Sequence, residues 1–163
     1  MKITKHPLFY FIGITIYLFL KFKWLYVFKH LFRNPKTRKV NPKYHQNVYK
    51  NSNKTLVSVV KGDNIYSMLK EGIELIGGLD KIDIKGKSVL IKPNIVNRYP
   101  SPANTNPYVI KAIIKLLQEY GASKILVGDM SAIFALPTKK NAIKSGFWEV
   151  IQDEDIQFVS FED

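Results

Sequence analysis

KSVLIKPNIVNRYPSPANTNPYVIKAIIKLLQEYGASKILVGD, residues 87–129, decides the fold. Lys87–Lys92 is a short apolar run. It ends at Pro93, which has no N–H to give a neighbouring strand, so the run reads as a strand. A loop over 93–105 follows, with Pro100, Pro102 and several Asn. Thr105-Asn106-Pro107 then opens a helix, with a capping side chain before a proline in the first turn. Ile110, Ile113, Ile114 and Leu117 share one face of that helix, and Gly121 closes it. Ser123–Gly128 is a second apolar strand.

The same alternation extends in both directions. Upstream, Thr55–Lys61 (TLVSVVK) is rich in β-branched residues and reads as a first strand. Asp63 or Asn64 caps a following helix. Its apolar stripe is Ile65, Met68, Leu69, Gly72, Ile73 and Ile76, and Gly77-Gly78 stops it. Downstream, helices are expected near 138–145 and 147–152, and a strand at Ile156–Phe161. Strands alternating with helices indicate α/β architecture: a parallel, Rossmann-like sheet with right-handed crossovers. The continuous apolar strands predict a sheet covered on both faces. About four strands are expected from this periodicity. The last of them should lead into another helix, so the sheet reads as incomplete.

Charge separates this domain from what precedes it. The chain has 163 residues with a formal charge of +12, yet residues 1–60 hold twelve Lys/Arg and no Asp or Glu. Residues 61–163 hold thirteen of each sign and sum to zero. Only Arg33, Arg38 and Arg98 are arginines. Readers of bases and phosphates favour the planar Arg fork, so the excess argues against nucleic acid as a partner.

The basic third instead reads as a membrane segment. Fifteen residues between Lys5 and Lys21 carry no formal charge, and Pro7–Leu20 (PLFYFIGITIYLFL) is almost wholly apolar. The run is short against the ~20 residues a spanning helix needs. Apolar character resumes at Trp24–Phe28, and Lys21 and Lys23 can snorkel between the two stretches. Residues 7–28 are therefore expected to form one tilted transmembrane helix. A cleaved signal needs a small-residue site after the apolar core, and none follows Leu20. An interfacial helix needs a polar face, which 7–20 lacks. A buried core helix has no matching apolar partner before the next domain.

Two basic residues precede the span and eight follow within 21–43. The positive-inside rule then places the C-terminal domain in the cytoplasm, on a single-pass protein of the cell membrane. The expected organisation is an anchor at 1–32, a basic polar linker at 33–54 and an α/β domain at 55–163. The linker suits a tether lying against anionic lipid. His30 and His45 sit among lysines with no carboxylate near them in sequence, and neither reads as a metal ligand.

Ligands of parallel sheets bind beyond the carboxyl ends of the strands. This chain places Lys61 and Asp63 after the first strand, and Lys92 and Asn94 after the second. Thr105 and Asn106 open the next helix, and Asp129 and Ser131 follow the third strand. A lysine near a helix N-terminus suits an anion. Asp129 suits a hard cation or the work of a base. The structural alternatives are plain: Asn106 as a helix cap, Lys92 as a solvated strand end, Asp129 as a cap. No Walker A and no G-x-G-x-x-G motif is present, and 55–163 contains no His for a catalytic triad.

VLIKPNIV (89–96), TNPYVIKAIIKLLQEYGASKILVGD (105–129) and SGFWEVI (145–151) together resemble the family called domain of unknown function 362. The resemblance covers residues 55–163. Its most specific part is Lys-Pro-Asn after an apolar strand. It implies that the strand-end motifs lie near a shared pocket, and it carries over Lys92, Pro93, Asn94, Thr105 and Asp129. Similar proteins often bear Cys-rich ferredoxin-type segments. This chain has no Cys, so it holds no iron–sulfur cluster itself, and the resemblance implies a separate iron–sulfur or redox partner. The family's later Lys-Thr-His segment is absent.

The reading is a membrane-anchored α/β domain with a polar strand-end pocket, enzymatic or redox-associated. The competing class is an anchored scaffold without activity of its own. The full chain is expected to sediment with membranes and to resist carbonate extraction, while a chain shortened to begin at Asn53 stays in the supernatant. Carbonate release of the full chain would remove the anchor.

Overall fold

The computed structural model describes residues 11–17, 46–154 and 156–163. The chain divides into two compact units, Met1–Lys39 and Val40–Asp163. In the first, residues 11–17 are helical. The rest of the expected span at 7–28 lies outside the described residues. Among the described residues, no helix is long and apolar enough to cross a membrane.

The second unit opens with a short antiparallel hairpin, β1 (Lys50–Asn51) on β2 (Lys54–Thr55), turning through Ser52 at φ 54°. The linker reading did not anticipate it. Tyr49 ties the hairpin to the end of the next helix by donating its phenol to the Gly78 carbonyl at 2.9 Å. Burial pushes the Tyr49 pKa up, helped by the nearby Tyr120.

Residues 56–61 alternate half-buried and exposed side chains but join no sheet, which corrects the expected first strand. β-branched composition selects extended backbone; it does not supply a neighbour to bond. Helix α1 (Ile65–Leu75) starts where expected, with the Asn64 side chain accepting from the Ser67 N–H. Its apolar stripe is present, yet no residue of α1 is fully buried.

Next come β3 (Ser88–Ile91), α2 (Pro107–Glu119), β4 (Lys124–Asp129), α3 (Thr138–Lys144), α4 (Phe147–Asp153) and β5 (Gln157–Ser160). Each matches a sequence-based expectation to within a few residues. The sheet is parallel, in the order β3-β4-β5, with Ile91 opposite Val127 and Val127 opposite Phe158. It has three strands among the described residues, where four were expected.

The core lies on one face of this sheet. Ile91, Ile125 and Val127 point into it and meet Ile110, Ile114 and Leu117 of α2 and Phe147 and Ile151 of α4. The opposite face carries Leu90, which is 52% exposed, with Leu126 and Val159 half-buried. Coverage of both faces was expected, and the topology explains the difference. Two right-handed crossovers that advance in the same direction put their helices on the same side of the sheet. Gly128 is required where it stands. A Cβ there would lie 2.7 Å from both the Phe161 ring and the Val159 carbonyl.

α1 packs along α2. The Tyr66 phenol donates to the Glu119 carboxylate, 2.7 and 2.6 Å from its two oxygens, and the Lys115 ammonium sits 4.4 Å from the Tyr66 ring centre. That hydrogen bond, with lesser help from burial and neighbouring carboxylates, raises the Tyr66 pKa from 10.0 to about 12. A raised tyrosine pKa means the neutral form is favoured by folding. The stabilisation is therefore complete below pH 10.0 and is lost as pH rises through about 12. Ultraviolet titration of tyrosinate should show a late component near pH 12 that Tyr66→Phe reduces by one group, and Glu119→Gln should bring that group back toward the ordinary range.

Candidate functional site

Parallel pairing of β3 and β4 brings their carboxyl ends side by side. Asp129 is the last residue of β4 and only 3% exposed. Its Oδ1 lies 2.8 Å from Lys92 Nζ, and its Oδ2 accepts the Ile95 N–H at 2.6 Å. A buried carboxylate without such partners would cost several kcal/mol, so the two contacts are conditions for its burial. The lysine faces outward, with 60% of its side chain exposed against 4% for Asp129. Lys92 Nζ also donates to the Pro93 carbonyl at 3.1 Å.

The remaining sequence-derived candidates separate into groups. Asn94 and Thr105 are clasped together: the Asn94 N–H donates to Thr105 Oγ1 at 2.9 Å, and the Thr105 N–H donates to the Asn94 carbonyl at 3.0 Å. The Asn94 side chain itself is exposed and makes no hydrogen bond among the described residues. Asn106 caps α2 by accepting the Tyr108 N–H at 3.0 Å. It also lines a separate, mostly apolar groove of about 440 Å³ beside Ser58, Val60 and the α1 stripe. Ser131 is 1% exposed, and its Oγ donates to the Ile95 carbonyl at 2.6 Å. Lys61 and Asp63 are exposed and make no hydrogen bond or ion pair among the described residues. The structure thus joins Lys92 to Asp129 directly, and reaches Ser131 through the two backbone groups of Ile95.

A polar chain continues inward that sequence reasoning missed. The Ser131 N–H donates to Thr138 Oγ1 at 2.7 Å, and Asn141 Nδ2 donates to Ser131 Oγ at 2.9 Å. Glu162, 5% exposed, receives the Thr138 N–H at 2.6 Å and the Thr138 hydroxyl at 2.9 Å. Asn104, 3% exposed, accepts the Val96 N–H at 2.8 Å and donates to the Asn97 and Tyr99 carbonyls, pinning the 93–105 loop. None of these follows from periodicity. The helix start Thr138-Lys139-Lys140-Asn141 is polar throughout, so nothing in it marks Thr138 and Asn141 as the buried pair. Among the described residues, no three His, Cys, Asp or Glu side chains gather as a metal centre.

Chemically, the edge presents an outward ammonium backed by a buried carboxylate, with the exposed Asn94 two residues further along the chain. Such a pair can hold an acidic group on the lysine while Asp129 fixes where the lysine points.

Residues 89–163 match the family described as Domain of unknown function (DUF362). The resemblance read from the sequence is borne out over that segment, which takes in the Lys-Pro-Asn motif, the Thr-x-Pro helix start and Asp129. β1, β2 and α1 lie outside the match. No curated protein and no solved structure matches the chain.

Glu162→Gln leaves one oxygen where two donors of Thr138 need acceptors. Buried donors left unpaired cost about 1–3 kcal/mol each, so the variant should lose stability on that scale in urea titration. Asp129→Asn should cost about as much, by removing the ion pair and weakening the Ile95 contact.

Proposed function

We propose that this chain is a membrane-tethered α/β domain that binds a small polar ligand at the carboxyl edge of its parallel sheet. The ligand carries an acidic group and a hydrogen-bond donor. The tether rests on the uncharged run at 7–20 and the aromatic stretch after it. The basic excess at 21–43 supports a cytoplasmic domain.

The Lys92–Asp129 pair is the single observation that carries the ligand site. An ammonium has three N–H bonds, and those of Lys92 reach Asp129 and the Pro93 carbonyl, leaving one for a ligand. The exposed Asn94 amide, two residues along the chain, supplies an acceptor and donors. The buried carboxylate behind the lysine disfavours a multiply charged anion, so a bare phosphate fits less well than a molecule with one acidic group.

A second reading has its own support. Among the described residues, every buried side-chain nitrogen and oxygen already has a partner. The same cluster can therefore be a clasp that closes the loops of a non-enzymatic scaffold.

A panel of amino acids and 2-hydroxy acids, with inorganic phosphate as control, tests the difference by thermal shift. A ligand at about 100 times its Kd stabilises by about 2.7 kcal/mol, which a melting curve resolves easily. At least one panel member should raise the melting temperature of the wild type and have no effect on Lys92→Met. No shift with any member, or a shift retained by Lys92→Met, leaves the scaffold reading. A reporter fused after Asp163 should be active only in its cytoplasmic form.

A further inference from the structure

Residues 56–61 show the side-chain alternation of a strand without strand partners. The Leu56 N–H donates to the Tyr49 carbonyl at 2.9 Å, and the backbone of 57–61 makes no hydrogen bond among the described residues. Side chains alternate along the segment. Leu56, Ser58 and Val60 are half-buried, and a Cβ placed on Gly72 of α1 would meet Ser58 Oγ at 3.4 Å and Val60 at 3.5 Å. Val57 and Val59 face away and are 82% and 90% exposed. A β-branched, extended segment with open N–H and C=O groups is a template for strand addition.

A backbone ladder is completed by another backbone, so the partner is a polypeptide strand. The sequence then selects which one. Leu56-Val57-Ser58-Val59-Val60 is nearly palindromic about Ser58. In an antiparallel pair related by a two-fold axis, directly opposite residues share a face, so the axis must pass through a residue of the segment. Centred on Ser58, Val57 meets Val59 of the second copy, Leu56 meets Val60, and Lys61 meets Thr55. Centred on Val57, Lys54 would face Val60; centred on Val59, Lys61 would face Val57. The Ser58 register alone pairs apolar with apolar throughout and opposes no like charges.

We propose that two copies of this chain associate through antiparallel pairing of residues 55–61, with the two-fold axis at Ser58. The contact is isologous and closes on itself, so it ends at a dimer. Val57 and Val59 of both copies then form one four-valine patch on the face away from α1.

The chain contains no cysteine, so Ser58→Cys creates its sole thiol. Opposite residues of an antiparallel pair have Cα atoms about 4.5–5.5 Å apart, within reach of a disulfide. Two copies of position 61 would be separated by about 20 Å, six residues at roughly 3.4 Å each, which no disulfide spans. With the full chain in mild detergent under a gentle oxidant, Ser58→Cys should run as a covalent dimer and Lys61→Cys as a monomer. Sedimentation supplies an independent measure. Val57→Glu and Val59→Lys should each halve the sedimenting protein mass. Mixed in equal amounts, they should restore it, because the introduced carboxylate of one faces the introduced ammonium of the other. A wild-type chain that sediments as a monomer overturns the proposal. So does a Ser58→Cys chain that stays monomeric, equal linking of the two cysteine variants, or a mixture that does not recover.

Discussion

A carboxylate at 3% exposure organises the carboxyl edge of the sheet. Asp129 enters the interior only because Lys92 and the Ile95 N–H meet it there. Both partners come from the segment after β3, so burying the acid at the end of β4 fastens one strand's loop to the next strand. The Ile95 carbonyl is taken in turn by Ser131, two residues beyond the acid. One residue of the first loop is thus held on both its backbone groups by the second. The Ala132 N–H adds a further link between the two loops by donating to the Val96 carbonyl at 3.1 Å.

The direction of the crossovers decides what surrounds that edge. With β3, β4 and β5 laid down in order, α2 and α4 fall on the same face. That face is closed over by isoleucines and Phe147, while the other keeps Leu90 half-open. α1 leans on α2 and does not roof the sheet, which is why its apolar stripe never becomes fully buried and borders an open groove. The extended segment before α1 is left with its ladder groups unmatched. The apolar groove and the unpaired segment both follow from a single-sided arrangement.

The polar network and a ligand-binding role are compatible. Buried groups from Asp129 to Glu162 are satisfied internally, and this rigidity is what a binding edge needs from the residues behind it. The groups that meet solvent are the outer side of Lys92 and the side chain of Asn94. Family likeness over 89–163 includes both layers, the exposed pair and all of the inner chain.

Most of the element pattern was legible in the sequence, because strand and helix periodicities and the caps at Asn64 and Asn106 are local properties. Lys92, Asn94 and Asp129 were legible for the same reason: strand ends are visible as changes from apolar to polar residues, and parallel strands share a carboxyl end. Partnership was not legible. TLVSVVK has the composition of a strand, but whether it is hydrogen-bonded depends on a neighbour placed by the rest of the chain. Asn106 and Ser131 have the right residue types beside the site, yet one turns to cap a helix and the other is buried against Ile95. Glu162 and Thr138, 24 residues apart, meet only because β5 pairs with β4 and brings the chain back to the start of α3. Local chemistry follows from neighbouring residues, whereas a contact between distant ones exists only after the topology has chosen which faces are covered and which groups must satisfy each other away from water.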